Sequence, residues 1–195
     1  NVVAMCIEEK VFPKTNSFLQ SEQQPLAEID EFSGKIKAAK DTQQDPDFCV
    51  VARIEALIVG RGLAEALERA EAYHQAGADA ILVHSKRSTP DQVLEFMKEW
   101  QDTCPVVIVP TTYYDTPTQV FADAGISVVI WANHLLRSSI TAMQKTAAKI
   151  YGEKSLTGVQ RQIASVKEVF RLQNADELME AERRYLPAHK DPDSR

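Results

Sequence analysis

The chain has 195 residues, 44% of them hydrophobic and 26% charged, a composition that excludes a disordered or fibrous chain and allows one domain with a sizeable core. Its formal net charge of −6 excludes the basic excess of a nucleic-acid binder, yet leaves room for an anionic ligand held by a few local cations. No apolar stretch approaches the roughly 20 residues of a membrane span, and Cys6, Cys49 and Cys104 lack metal-site spacing, so they read as reduced, buried thiols of a cytoplasmic protein.

The chain opens inside an apolar run, Val2–Ile7, with no initiator methionine. Four further runs, Phe48–Ile54, Ala80–Val83, Val106–Val109 and Val128–Trp131, are rich in Val and Ile without strict alternation. Such runs are predicted as parallel strands buried on both faces. A polar loop over residues 10–25, too long for a simple connection, is predicted as a lid, and a helix is predicted to start near Pro25. Leu63, Leu67, Ala70 and Tyr73 mark a helical stripe that Gly77 closes as a C-terminal cap. Thr89-Pro90 and Thr116-Pro117 each read as an N-cap followed by proline at the first helical position, and Gly125 ends the second of these helices. Beyond the fifth run, helices are predicted at Leu135–Tyr151, Val159–Leu172 and Asp176–Tyr185, with a disordered tail at 188–195.

This is βα repetition, in which two architectures compete. An open doubly wound sheet would show a glycine-rich phosphate turn after its first strand, and no GxGxxG or GxxxxGKS/T is present. A (β/α)8 barrel takes roughly 250 residues. Five units therefore predict an α/β fold corresponding to the C-terminal part of a (β/α)8 TIM-type barrel, with early strands missing and additional C-terminal helices. Residues 1–187 are read as one catalytic domain.

A barrel assembles its site at the C-terminal ends of its strands. Those ends carry Glu8 and Glu9, Arg53 and Glu55, His84 and Ser85, Thr111 and Thr112, and Asn133 and His134. Arg53 and His84, on neighbouring strands, suit an oxyanion as a guanidinium fork beside a ring donor. The competing reading pairs Arg53 with Glu55 or another barrel carboxylate and makes His84 a satisfied core histidine. Lys14 and Asn16 in the long loop either close over a ligand or belong to a solvated loop. One of Glu8 and Glu9 either serves Mg2+ through water or is a surface carboxylate. Asn133 reads as a helix N-cap as readily as His134 beside it reads as a ligand contact. His74 and His189 are assigned no chemistry.

The run Glu8-Glu9-Lys10-Val11-Phe12-Pro13-Lys14-Thr15-Asn16-Ser17 resembles the lid of the phosphoenolpyruvate mutase family, within the isocitrate lyase/phosphoenolpyruvate mutase superfamily. The likeness continues through Asp45-Pro46-Asp47-Phe48, Val51 to Ala56, Ala76-Gly77-Ala78-Asp79-Ala80-Ile81 with His84-Ser85, Val106 to Thr111, and Val129 to His134. It implies that Lys14 and Asn16, with Ser17 a weaker neighbour, contact substrate, that Arg53 and His84 hold the migrating phosphoryl group, and that Glu8 is an outer-sphere carboxylate around Mg2+. The principal metal ligands and the amides seating the substrate carboxylate belong, in this family, to earlier strands that the chain does not contain.

The activity implied is Mg2+-dependent, reversible isomerisation of phosphoenolpyruvate to phosphonopyruvate, in a homodimer or homotetramer that exchanges its C-terminal helix. A lid without cysteine or glycine argues against the superfamily's carbon–carbon lyases. Phosphonopyruvate hydrolase is the nearest alternative, and Asn16 favours the mutase over it. A non-catalytic barrel subunit and a barrel aldolase or lyase of another substrate are the remaining ones.

Overall fold

A computed structural model describes residues 2–19 and 21–187. The expected disordered tail at 188–195, with His189, lies outside the described residues. The chain divides into two compact units, Asn1–Asn133 and His134–Arg195.

In the first unit, among the described residues, five strands form one sheet: β1 (Ala4–Glu8), β2 (Cys49–Ile54), β3 (Ala80–Val83), β4 (Val106–Ile108) and β5 (Val128–Val129). Their order is sequential and every pair is parallel. Sequential parallel strands joined by helices are the winding of a (β/α)8-type barrel, so all strand C-termini emerge on one side. The connecting helices are α1 (Ile29–Thr42), α2 (Gly62–Gln75), α3 (Asp91–Trp100) and α4 (Thr118–Asp123).

Strand alternation splits the side chains into two layers. Val50, Ala52, Ile54, Ile81, Val83, Val106 and Ile108 face the helices and join Phe32, Ile36, Ala66, Ala70, Tyr73, Phe96 and Trp100 in the main core. Val51, Ala80, Leu82 and Val107 form a smaller cluster on the opposite face. Burial on both faces holds for β3 and β4, whereas β1 and β5, the edges of the described sheet, keep exposed positions. The expectation of three buried thiols fails for two of them. Cys6 on β1 and Cys49 at the start of β2 are exposed, and Cys104 is buried, with burial pushing its thiol up to about 11.

Helix α2 is built from strong helix formers, Ala, Leu and Glu, and ends as Gly77 takes a φ of 105°. The motif around that glycine is structural. Lys40 of α1 pairs with Asp79 at 2.9 Å, and the same carboxylate accepts the Val50 N–H at 2.7 Å, locking the start of β3 to β2.

Three helix starts in this unit differ from the sequence reading. The chain stays extended past Pro25 because Lys10 and Leu26 form an antiparallel bridge, which delays α1 to Ile29. Pro90 and Pro117 stand one position before α3 and α4, where their carbonyls accept the first helical N–H groups. Thr89 bonds the Asp91 carboxylate at 2.7 Å instead of capping the backbone.

In the second unit, α5 (His134–Glu153), α6 (Val166–Leu172) and α7 (Ala175–Tyr185) follow one another. The helix expected from Val159 starts only at Val166, where Ser165 Oγ accepts the Glu168 N–H at 3.1 Å and caps it. Among the described residues no helix is long and apolar enough to cross a membrane.

Candidate active site

The strand register places Glu8 beside Arg53, and His84 follows Val83, the partner of Ile54. Glu8, Lys10, Arg53, Glu55 and His84 thus emerge at the same end of three adjacent strands.

Arg53 and His84 meet, with Arg53 Nη2 2.9 Å from His84 Nδ1. Glu55, fully buried, lies against both: its Oε1 accepts Arg53 Nε at 2.5 Å and stands 3.1 Å from His84 Nδ1. Arg53 and His84 do converge, and the carboxylate partner that the strand ends offered as the competing reading is present between them. The His84 nitrogen faces a donor and an acceptor at once, so its tautomer decides whether it gives a hydrogen to Glu55 or takes one from Arg53. Either choice holds the ring in the same place.

The loop expected to be a lid packs onto this pair through Ser17 and Phe18. Ser17 Oγ donates to Glu55 Oε2 at 2.9 Å and accepts from Arg53 Nη2 at 3.1 Å and from Lys10 Nζ at 2.7 Å. Lys10 completes a buried ion pair with Glu55 at 3.1 Å. Phe18 and His84 meet in a T-shaped contact, centroids 5.7 Å apart. Lys14 reaches back to Glu8 at 2.7 Å, while Glu8 also stands 3.4 Å from Arg53 Nε. Asn16 shapes the lid turn, its Oδ1 accepting the Phe18 N–H at 2.9 Å. Gln24 staples the lid from inside, accepting the Thr15 N–H at 2.7 Å and donating to the Val11 carbonyl at 2.8 Å. Beside this loop lies an open cleft of about 370 Å³ lined by Glu8, Lys10, Lys14, Asn16, Ser17 and Arg53.

The electrostatics favour an anion. Lys10, Lys14 and Arg53 supply three cations against the carboxylates of Glu8 and Glu55. Burial alone would push the Glu55 carboxyl up, but the His84 hydrogen bond and the charges of Arg53, His84 and Lys10 outweigh it and pull it from 4.5 to about 2.

Glu9 is neither a metal-site group nor a surface carboxylate. It points to the helix-covered face, fully buried, where it accepts Arg69 Nη1 at 2.9 Å, the Glu55 N–H at 2.7 Å and a short hydrogen bond from the Tyr73 hydroxyl. Burial pushes its carboxyl up despite these partners. Other strand ends stay apart from the cluster. Ser85 donates to Gln92 at 2.7 Å, and the buried Thr112 hydroxyl and Asn133 Oδ1 make no hydrogen bond, so Asn133 is not the expected cap.

Mg2+ takes oxygen ligands, commonly six. The described residues bring no cluster of three His, Cys, Asp or Glu together, and Glu8 is engaged by two cations. They do not by themselves make a magnesium seat.

A sequential parallel βα array, with a cation-rich cluster at its strand ends under a docked loop, defines a protein of the α/β-barrel class. The profile of the phosphoenolpyruvate phosphomutase family matches residues 1–151, and the chain belongs to that family. Phosphoenolpyruvate phosphomutase of Tetrahymena pyriformis is 55% identical over 186 residues, covering 95% of this chain and 62% of the relative. The crystal structure of phosphoenolpyruvate phosphomutase from Streptomyces platensis subsp. rosaceus superimposes with a TM-score of 0.90 at 48% identity, covering 94% of this chain and 64% of that one. A phosphonopyruvate hydrolase solved with oxalate and Mg++ gives a TM-score of 0.85 at 40% identity, covering 95% and 63%. The chain thus spans less than two thirds of the length of these relatives.

Proposed function

We propose that the full-length protein, with residues 1–187 in its catalytic part, is a phosphoenolpyruvate mutase that interconverts phosphoenolpyruvate and phosphonopyruvate. The observation that carries this is the Arg53–His84 pair, 2.9 Å apart, beneath a lid that docks through Ser17 and Phe18. Phosphoryl transfer through a loose, metaphosphate-like transition state needs little covalent help; it needs positioning and spread positive charge. Arg53 and His84 grip the phosphoryl oxygens, Lys14 and Asn16 contact substrate from the lid, and Ser17 seats the lid. While the phosphoryl group moves from oxygen to C3, the closed lid keeps water out, so transfer outruns hydrolysis.

In the full-length protein Mg2+ would be the cofactor and would supply polarisation of the substrate oxygens, with Glu8 as an outer-sphere carboxylate. The same reading places the enzyme in the cytoplasm as a homodimer or homotetramer, its C-terminal helix exchanged between subunits. The lid run from Lys10 to Ser17 contains no cysteine, which separates it from the lyases of the superfamily.

The test is 31P NMR on the full-length protein supplied with phosphonopyruvate and Mg2+. Phosphoenolpyruvate as the product supports the reading. Pyruvate with inorganic phosphate makes the protein a hydrolase and refutes it, and no turnover turns it into a binding subunit.

A further inference from the structure

Glu55 is fully buried, and its two oxygens are committed in different directions. Oε1 faces the strand ends, 2.5 Å from Arg53 Nε and 3.1 Å from His84 Nδ1. Oε2 faces the lid, 2.9 Å from Ser17 Oγ and 3.1 Å from Lys10 Nζ. Lys10 in turn holds both Ser17 Oγ, at 2.7 Å, and the Thr15 carbonyl, at 3.2 Å.

We infer that Glu55 is the positioning residue of this site: one carboxylate orients the Arg53–His84 pair with one oxygen and clasps the lid through Ser17 and Lys10 with the other. The inference rests on the reading of Arg53 and His84 as the phosphoryl grip. Its consequence is mechanical coupling, since the lid cannot seat without the same group that sets the grip.

A carboxylate is required because both sides present hydrogens. An ionised carboxylate accepts at both oxygens, whereas an amide accepts at one atom and donates at the other. Glu55→Gln keeps the volume, but in either orientation its NH2 confronts donors, Lys10 on one side or Arg53 on the other. A carboxylate serving only to neutralise a buried lysine would change stability when replaced and leave turnover alone.

The experiment uses the full-length protein as wild type, Glu55→Gln and Ser17→Ala, with two readouts. Turnover of phosphonopyruvate with Mg2+ gives kcat and KM, and trypsin cleavage after Lys14, followed by mass spectrometry without substrate, reports the lid. Glu55→Gln is expected to lower kcat roughly 10²-fold, the scale of a small misplacement at a reacting centre, with a much smaller change in KM. Both variants are expected to be cut after Lys14 several times faster than wild type. A folded Glu55→Gln protein with wild-type kcat overturns the inference, as do unchanged cleavage rates in both variants. Should Glu55→Gln not fold, Ser17→Ala decides: faster cleavage with a raised share of pyruvate and phosphate supports the clasp, and wild-type behaviour on both counts overturns it. If wild type turns over no phosphonopyruvate while the variants are cut faster, the clasp stands and the proposed reaction falls.

Discussion

Glu9 and Glu55 are both fully buried, lie at the ends of adjacent strands and are linked by one hydrogen bond, yet their surroundings drive them in opposite directions. Glu9 faces the helices with one cation, Arg69, and a phenol, and there burial prevails and raises its carboxyl. Glu55 faces the strand ends with Arg53, His84 and Lys10 around it, and these partners prevail and bring it down to about 2. The number of cations within reach sets the sign, because each offsets part of the desolvation cost of the charged form. The Glu9 knot ties β1 to α2 through Arg69 and Tyr73, whereas the Glu55 cluster gathers positive charge under a lid.

The comparison separates turnover from stability, and the largest effect belongs to the cluster. His84→Ala is expected to lower kcat/KM on phosphonopyruvate roughly 10²–10³-fold, the scale of losing one oriented donor, and to cost about 1–3 kcal/mol of stability because Glu55 loses a buried partner. In the knot, Arg69→Ala leaves the Glu9 carboxylate buried and uncompensated, so denaturant unfolding should show a loss of roughly 3–5 kcal/mol. Its remaining folded fraction should turn over within a few-fold of wild type. A large kcat loss there would merge the two regions.

Acid unfolding sharpens the contrast further. A carboxylate held low in the fold stabilises above its unfolded value and loses that contribution as the pH falls. For Glu55 the window runs from pH 4.5 down to about 2, and a shift of that size is on the order of 3 kcal/mol. The gap in unfolding free energy between wild type and Glu55→Gln should therefore narrow across it. Glu9 is held high, so its contribution is complete below its ordinary value of 4.5 and is lost as the pH rises through the raised value. The gap between wild type and Glu9→Gln should widen as the pH falls over that upper range. The smallest effect is expected at the lid staple, where Gln24→Ala removes the hydrogen bonds to Thr15, Val11 and Pro25 and should cost about 1–2 kcal/mol, measured as faster proteolysis of residues 10–25.

Much of the fold was legible because parallel strands leave a strong mark: Val- and Ile-rich runs at βα spacing located all five strands, Ala80–Val83 to the residue. Helix starts were less legible, since proline signals a boundary without saying whether its own carbonyl opens the helix. The site was half legible. Arg53 and His84 stood out as charged ends of apolar runs, but the strand ends alone did not show that one carboxylate serves both. Alternation held a signal that was not used, since Glu8 and Glu9 must face opposite sides and only Glu8 shares a side with Arg53. Arg69, one turn before Tyr73 on the buried stripe of α2, implied a buried carboxylate partner. Gln24 left no mark, because a loop staple has no periodicity.

The central claim is that Arg53, held by Glu55 beside His84, binds the phosphoryl group. Its most direct test is calorimetric titration of the full-length protein with sulfopyruvate, a sulfonate analogue of phosphonopyruvate, in the presence of Mg2+, comparing wild type with Arg53→Ala. The account expects saturable binding by wild type and its loss in Arg53→Ala while that variant still unfolds cooperatively. Equal affinity in the two proteins would contradict it.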